Sequence, residues 1–114
     1  MNKKSIGFWG ESIVKKFLED KGYQILETNW HHHHRELDLI VYNRKIIGIE
    51  VKTRKNQIDL AFTILKAKQV SRLRSTLKAY CLLHGQSYSK ARLDLIVLRV
   101  KTPTTLGLKH YIDI

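Results

Sequence analysis

A chain of 114 residues with 43% hydrophobic content carries enough apolar material for one core, so a single domain over 1–114 is expected. Its 21 Lys and Arg against 10 Asp and Glu give a net charge of +11, which favours a polyanionic partner and leaves nucleic acid, ribosome and anionic membrane surface open. No apolar run approaches the roughly 20 residues that span a bilayer, and the start MNKKSIGFWGES lacks a signal peptide's apolar stretch, so a cytoplasmic location without membrane association is expected. Cys81 is the only cysteine, which excludes an internal disulfide, and within AYCLL it reads as a small buried hydrophobe.

Residues 10–21 place Ile13, Val14, Phe17 and Leu18 at helical spacing, and Gly22 stands where a helix-ending glycine belongs. Tyr23 to Asn29 alternates weakly, as a short strand does. Leu37–Tyr42 and Ile46–Thr53 are rich in Ile, Leu and Val and are joined by Asn43-Arg44-Lys45, which predicts a β-hairpin. From about Phe62 to Leu83, Ile64, Leu65, Val70, Leu73, Leu77, Tyr80 and Leu83 fit one face of a long basic helix. A loop over Gly85–Lys90, a strand over Leu93–Val100, a turn bracketed by Pro103 and Gly107, and a last strand near Lys109–Ile112 complete the order αβββαββ. Seven residues from Arg35 to Val41 are echoed by Arg92 to Val97, too short a stretch to mark a repeat.

The chemistry concentrates in the hairpin. Strand alternation sends Glu36, Asp38, Ile40 and Tyr42 to one face and Leu37, Leu39 and Val41 to the other. On the partner strand, Ile46, Gly48, Glu50 and Lys52 share a face. A three-residue loop would set Tyr42 against Ile46, hence Asp38 against Glu50 and Glu36 against Lys52. Two facing carboxylates repel unless a proton or a cation lies between them, and Mg²⁺ commonly takes one or two carboxylates plus waters and substrate phosphate. Lys52 is then placed to serve an attacking water and offset charge on phosphorus. The alternative is an ordinary amphipathic hairpin with a solvent-facing Asp38 and Glu50. Glu11 shares a helical stripe with Val14 and Leu18, where an apolar residue is expected, so it either joins the site or interacts with the helix dipole.

Asp38 followed by Glu50-Val51-Lys52 resembles the D-xₙ-E-x-K signature of the PD-(D/E)XK nucleases. With Gly10-Glu11, Gly22-Tyr23-Gln24-Ile25-Leu26, Asn29, Glu36-Leu37-Asp38-Leu39-Ile40, Thr53-Arg54, Lys68, Arg72-Leu73 and Leu93-Asp94 in order, nearly the whole chain resembles the YraN-like predicted endonucleases. That family is similar to archaeal Holliday-junction resolvases. The resemblance implies an α/β fold, a restriction-endonuclease-like mixed sheet flanked by helices, and Mg²⁺ (or Mn²⁺) dependent cleavage of DNA, including branched or damaged DNA. It also implies metal ligation by Asp38, Glu50 and Glu11, with the Val51 carbonyl completing the shell, and Lys52 serving the water. A homodimer is compatible with it. The second reading is a non-catalytic nucleic-acid-binding module that keeps the fold.

Three departures from the family's pattern bear on substrate grip. Arg35 replaces a usual glycine, the loop after Arg54 is short and lacks glycine, and His31–His34 fill a stretch that normally carries arginines. Consecutive histidines on an extended segment point apart, so a loop touching phosphate is favoured there over a metal site. Arg54, Lys55, Lys68, Gln69 and Arg72 are the candidate nucleic-acid contacts, with DNA ahead of RNA. Asp94, within an apolar strand, is either a further ligand or a partner of Arg92 or a lysine.

Overall fold

The structure, a computed structural model, describes residues 3–55 and 65–114 of the chain, with side chains from residue 7 onward. Helix α1 (Lys3–Asp20) is followed by strands β1 (Gln24–His32), β2 (Arg35–Tyr42) and β3 (Ile46–Lys55). Helix α2 (Ala67–Leu83), a short 3₁₀ turn (Tyr88–Lys90), β4 (Arg92–Thr102) and β5 (Thr105–Tyr111) complete the chain. The five strands form one mixed sheet in the order β1-β2-β3-β4-β5, antiparallel except for the β3–β4 pair. A parallel pair needs a crossover, and α2 lies on that connection. This is the mixed α/β architecture expected, compatible with a restriction-endonuclease-like fold. Among the described residues no helix is long and apolar enough to cross a membrane.

Each helix covers its own apolar cluster. Val14 and Leu18 of α1 pack with Leu39, Val41, Ile47, Ile49, Val51 and Ile96. Leu73, Leu77, Tyr80 and Cys81 of α2 pack with Leu37, Ile40, Ile46, Leu93, Leu95 and Val97. Period-two alternation along β3 and β4 feeds both sides, which is why these central strands read as nearly continuous apolar runs. Cys81 is buried as a small hydrophobe. Gly48 keeps the α2 side passable, since a Cβ there would lie 3.2 Å from Leu77, 3.3 Å from Leu37 and 3.4 Å from Leu93.

Several boundaries move, each for a local reason. Helix α1 starts at Lys3 rather than residue 10, running through Gly7 and Gly10, and it ends as expected, with Gly22 at φ 90° and the Tyr23 N–H on the Leu18 carbonyl at 3.0 Å. Helix α2 begins at Ala67, because Lys66 is extended and its N–H is taken by Gln69 Oε1 at 3.2 Å. Residues 62–64 of the expected helix, and the loop after Lys55, lie outside the described residues. Gly107 does not bracket a turn. It sits inside β5 opposite Arg99, and the reversal is made by Pro103 and Thr104 between the paired Thr102 and Thr105. The histidine run is not a loop leading into a hairpin either. His31 and His32 continue β1 and pair with Glu36 and Arg35, and His33-His34 form the turn of a β1–β2 hairpin.

Asp94 is fully buried and tied on every side. It accepts hydrogen bonds from Arg92 Nε (2.9 Å) and Nη2 (3.0 Å), His110 Nε2 (2.7 Å) and the Asp113 N–H (2.9 Å), joining β4, β5 and the residues after it. Burial pushes its carboxyl up, but the bonds from His110, Arg92 and Asp113 outweigh that and hold it below the ordinary 3.8. A depressed folded value means the stabilisation is present above 3.8 and is lost as pH falls through the folded value. Asp94→Ala, which strands Arg92 and His110, is expected to cost about 3 kcal/mol in urea unfolding at neutral pH. Asp94→Asn is expected to flatten the loss of stability seen in the wild type below about pH 4.

Candidate metal centre

The β2–β3 register is the one the three-residue loop requires. Tyr42 pairs with Ile46, Val41 with Ile47, Ile40 with Gly48 and Leu39 with Ile49, and Arg44 reverses the chain at φ 67°. The ladder then stops one step short of Asp38 and Glu50. Instead of a main-chain carbonyl, Asp38 Oδ2 takes the Val51 N–H at 2.8 Å. A side chain thus replaces a rung of the sheet, and the carboxylate is held in the gap where β2 and β3 separate. The same departure explains why Leu37 packs with Ile40 beneath α2 rather than with Leu39 and Val41 beneath α1, against simple alternation.

Glu50 and Lys52 follow the β3 alternation, on the side of Ile46 and Gly48. Their side chains are 14% and 23% exposed, with Lys52 Nζ 3.4 Å from Glu50 Oε2. Glu11 reaches Asp38 from α1. Its helix can come this close because Gly10 has no side chain, since a Cβ there would meet Thr53 Oγ1 at 2.1 Å. With α1 starting at Lys3, Glu11 lies mid-helix, so the favourable dipole at a first turn does not account for it. Glu11 and Glu50 both share a hydrogen bond with Asp38.

These three carboxyls repel one another inside the protein. Burial first, then the charge of Asp38 and the hydrogen bond to it, raise Glu50 to about 8, with Lys52 pulling the other way. Burial, the Asp38 charge, the bond to Asp38 and the charge of Glu36 raise Glu11 to about 7, opposed by Asn29. The side-chain amide of Asn29, with its nitrogen toward the acids, donates to Glu36 Oε1 at 2.9 Å and Glu11 Oε2 at 3.2 Å. The donor set is all hard oxygen, and near neutral pH Glu50 and Glu11 retain protons for want of cationic partners, a place that Mg²⁺ or Mn²⁺ fits. Among the described residues no three His, Cys, Asp or Glu are grouped so that they could hold a metal ion by themselves. An open arrangement of one or two carboxylates is what a hydrated Mg²⁺ commonly uses.

The remaining expected residues are distributed around this centre. Glu36 does not pair with Lys52. Because β1 extends to His32, Glu36 faces His31 and lies 2.9 Å from its Nε2, while Lys52 turns to Glu50. Arg54 is half-buried and donates to the Thr53 carbonyl at 3.0 Å, and Lys55 is exposed at the end of β3. Lys68 and Arg72 are exposed on α2, and Gln69 uses its carbonyl oxygen to cap that helix. Two residues received no role from the sequence. Asn29 adopts φ 50° inside β1, a conformation that asparagine tolerates, and so turns its amide to the acids. Arg99, opposite Arg54, has a buried Nε with no hydrogen-bond partner among the described residues.

Carboxyls raised on folding bind protons more tightly in the folded than in the unfolded chain, so stability falls as pH rises from 4.5 through 7 and 8. Glu50→Gln removes the most strongly raised group while keeping its shape. In EDTA at about pH 8.5 it is expected to raise the thermal midpoint by roughly 4 °C or more, with little difference at about pH 5, where Glu50 is already neutral. Circular-dichroism melts at the two pH values check this.

Relatives that cover most of the chain are named as UPF0102 proteins. A "UPF0102 protein" of Parabacteroides distasonis is 34% identical over 110 residues, covering 95% of this chain and 89% of the relative. One of Pelobacter propionicus is 30% identical over 119 residues, covering 98% and 83%. A shorter match to one of Alkaliphilus metalliredigens is 47% identical over 55 residues, about half of each chain. The model of the uncharacterised protein family UPF0102 matches residues 10–98, which span α1 from Gly10 through most of β4 and so take in Glu11, Asp38, Glu50 and Lys52, and the chain belongs to that family.

Proposed function

We propose that this chain is a metal-dependent endonuclease of the PD-(D/E)XK superfamily, similar to archaeal Holliday-junction resolvases, that hydrolyses phosphodiester bonds in DNA. The observation that carries the reading is the convergence of Glu11 and Glu50 on Asp38, with Lys52 Nζ 3.4 Å from Glu50. Asp38 and Glu50, with Glu11, are the residues that would hold Mg²⁺ or Mn²⁺. Such an ion supplies Lewis acidity at a phosphoryl oxygen and acidifies water at neutral pH.

The chain's own residues supply the rest. The Val51 N–H fixes the orientation of Asp38. Asn29 holds Glu11 and Glu36 in place through one amide. Lys52 orients the attacking water and offsets charge that develops on the phosphate. Arg54, Lys55, Lys68, Gln69 and Arg72 contact the phosphate backbone without reading sequence, supported by the net charge of +11. Cleavage leaves a 5′-phosphate.

Incubating the protein with linear, flapped and four-way DNA in Mg²⁺ or Mn²⁺ tests the reading. Cutting is expected with metal, none in EDTA, and a loss of at least about 100-fold in Asp38→Asn and Lys52→Ala. Equal cutting by wild type and both variants would overturn it. Salt-sensitive binding that ignores Asp38 and needs no divalent ion, with no cleavage in any metal, would favour the non-catalytic binding module.

A further inference from the structure

Beside the carboxylates, the β1–β2 hairpin carries a run of rings that the hydrolytic site does not use. Trp30 and His32 lie two residues apart on one face of β1, with ring centroids 5.6 Å apart and planes within 3° of parallel. Trp30 leans on Tyr80 of α2 at 5.2 Å and 32°, and His32 meets His33 at 4.2 Å and 70°. The run therefore leads from Tyr80, 5% exposed in the core, out to His33 at the exposed hairpin tip, where the backbone turns through φ 51°.

We propose that this hairpin tip is a stacking platform for an unpaired nucleobase, so that the substrate of the neighbouring site is nucleic acid with a single-stranded segment next to the bond that is cut. The assignment of the neighbouring site rests on the nuclease reading above. The platform itself rests on four observations. It is firm, because Arg35 Nη1 binds Ser75 Oγ of α2 at 2.8 Å and Trp30 packs on the α2 cluster. Its strand leads into the acids' network, because His31, on the opposite face of β1 from Trp30 and His32, lies 2.9 Å from Glu36, and Asn29 bridges Glu36 to Glu11. It offers π-faces and edges rather than a greasy groove, and every base has a π-face, which makes such stacking tolerant of sequence. Finally, Arg35 and a chain of net charge +11 suit a ligand whose backbone is anionic.

A base inside a duplex is already stacked on both sides, so only an unpaired one can join the run. A metal role for the histidines fits the geometry less well. His31 turns to Glu36 while His32 stacks on Trp30, so the neighbouring rings point to different partners.

The test is binding of a single-stranded oligonucleotide and of a duplex of the same length to the whole protein in EDTA, where cleavage plays no part. Trp9→Phe serves as the background, so that fluorescence reports Trp30. Single strands are expected to quench Trp30 more than duplex does. His33→Ala is expected to weaken single-strand binding roughly tenfold while leaving duplex binding unchanged, with His33→Phe retaining affinity and His33→Lys losing it. An equal loss for both nucleic acids, no loss at all, or retention by His33→Lys with loss by His33→Phe would overturn the platform, the last showing a phosphate contact instead. Single-strand preference without cleavage in any metal would uphold the platform and remove the nuclease. Cleavage with unchanged binding in His33→Ala would do the reverse.

Discussion

The hydrogen bond from the Val51 N–H to Asp38 Oδ2 is the constraint around which the site is arranged. Four residue pairs join β2 to β3 in regular register, and beyond them the Val51 N–H is satisfied by a side chain instead of a carbonyl. A buried N–H needs an acceptor, so the sheet tolerates the separation of β2 from β3 only while Asp38 is there. Three features depend on that separation. Leu37 swings to the α2 cluster, Glu11 can approach from α1 past Gly10, and Glu50 faces Asp38 across a gap rather than across a rung.

Electrostatics then sets the character of the gap. A structural cluster of acids would be expected to collect enough cationic partners to remain ionised. Here Glu50 has Lys52 as its ion-pair partner, Glu11 has the neutral amide of Asn29, and both are raised into the neutral range or beyond. Perturbed carboxyls of this kind concentrate where function requires them. The chain has 21 Lys and Arg, so the shortage at this point among the described residues is local and does not reflect composition.

Much of this was legible in one dimension, and the limits are instructive. The loop Asn43-Arg44-Lys45 fixed the register, because loop length and strand parity are local properties. Glu11 was visible as a carboxylate on the stripe of Val14 and Leu18. What stayed hidden depends on contacts distant in sequence. Glu36 is drawn to His31 because β1 continues through Trp30, where a run of histidines reads as loop. The role of Asn29 needs a left-handed backbone that alternation does not reveal. Helix α2 starts late because Gln69, which reads as a surface contact, caps it.

The sharpest illustration is the string Leu-Asp-Leu-Ile-Val, which occurs at Leu37–Val41 and again at Leu93–Val97. Both copies form strands of the same sheet, so local propensity treats them alike. Their aspartates meet opposite fates. Asp94 receives two bonds from Arg92, one from His110 and one from the Asp113 N–H, and its carboxyl is held low. Asp38 receives one backbone N–H and shares its remaining contacts with two other acids. A buried carboxylate with four donors needs nothing further. One set among carboxylates has, among the described residues, only Lys52 and its own protons to relieve the repulsion. Tertiary neighbours, not the pentapeptide, decide which aspartate is fully partnered and which is set among other acids.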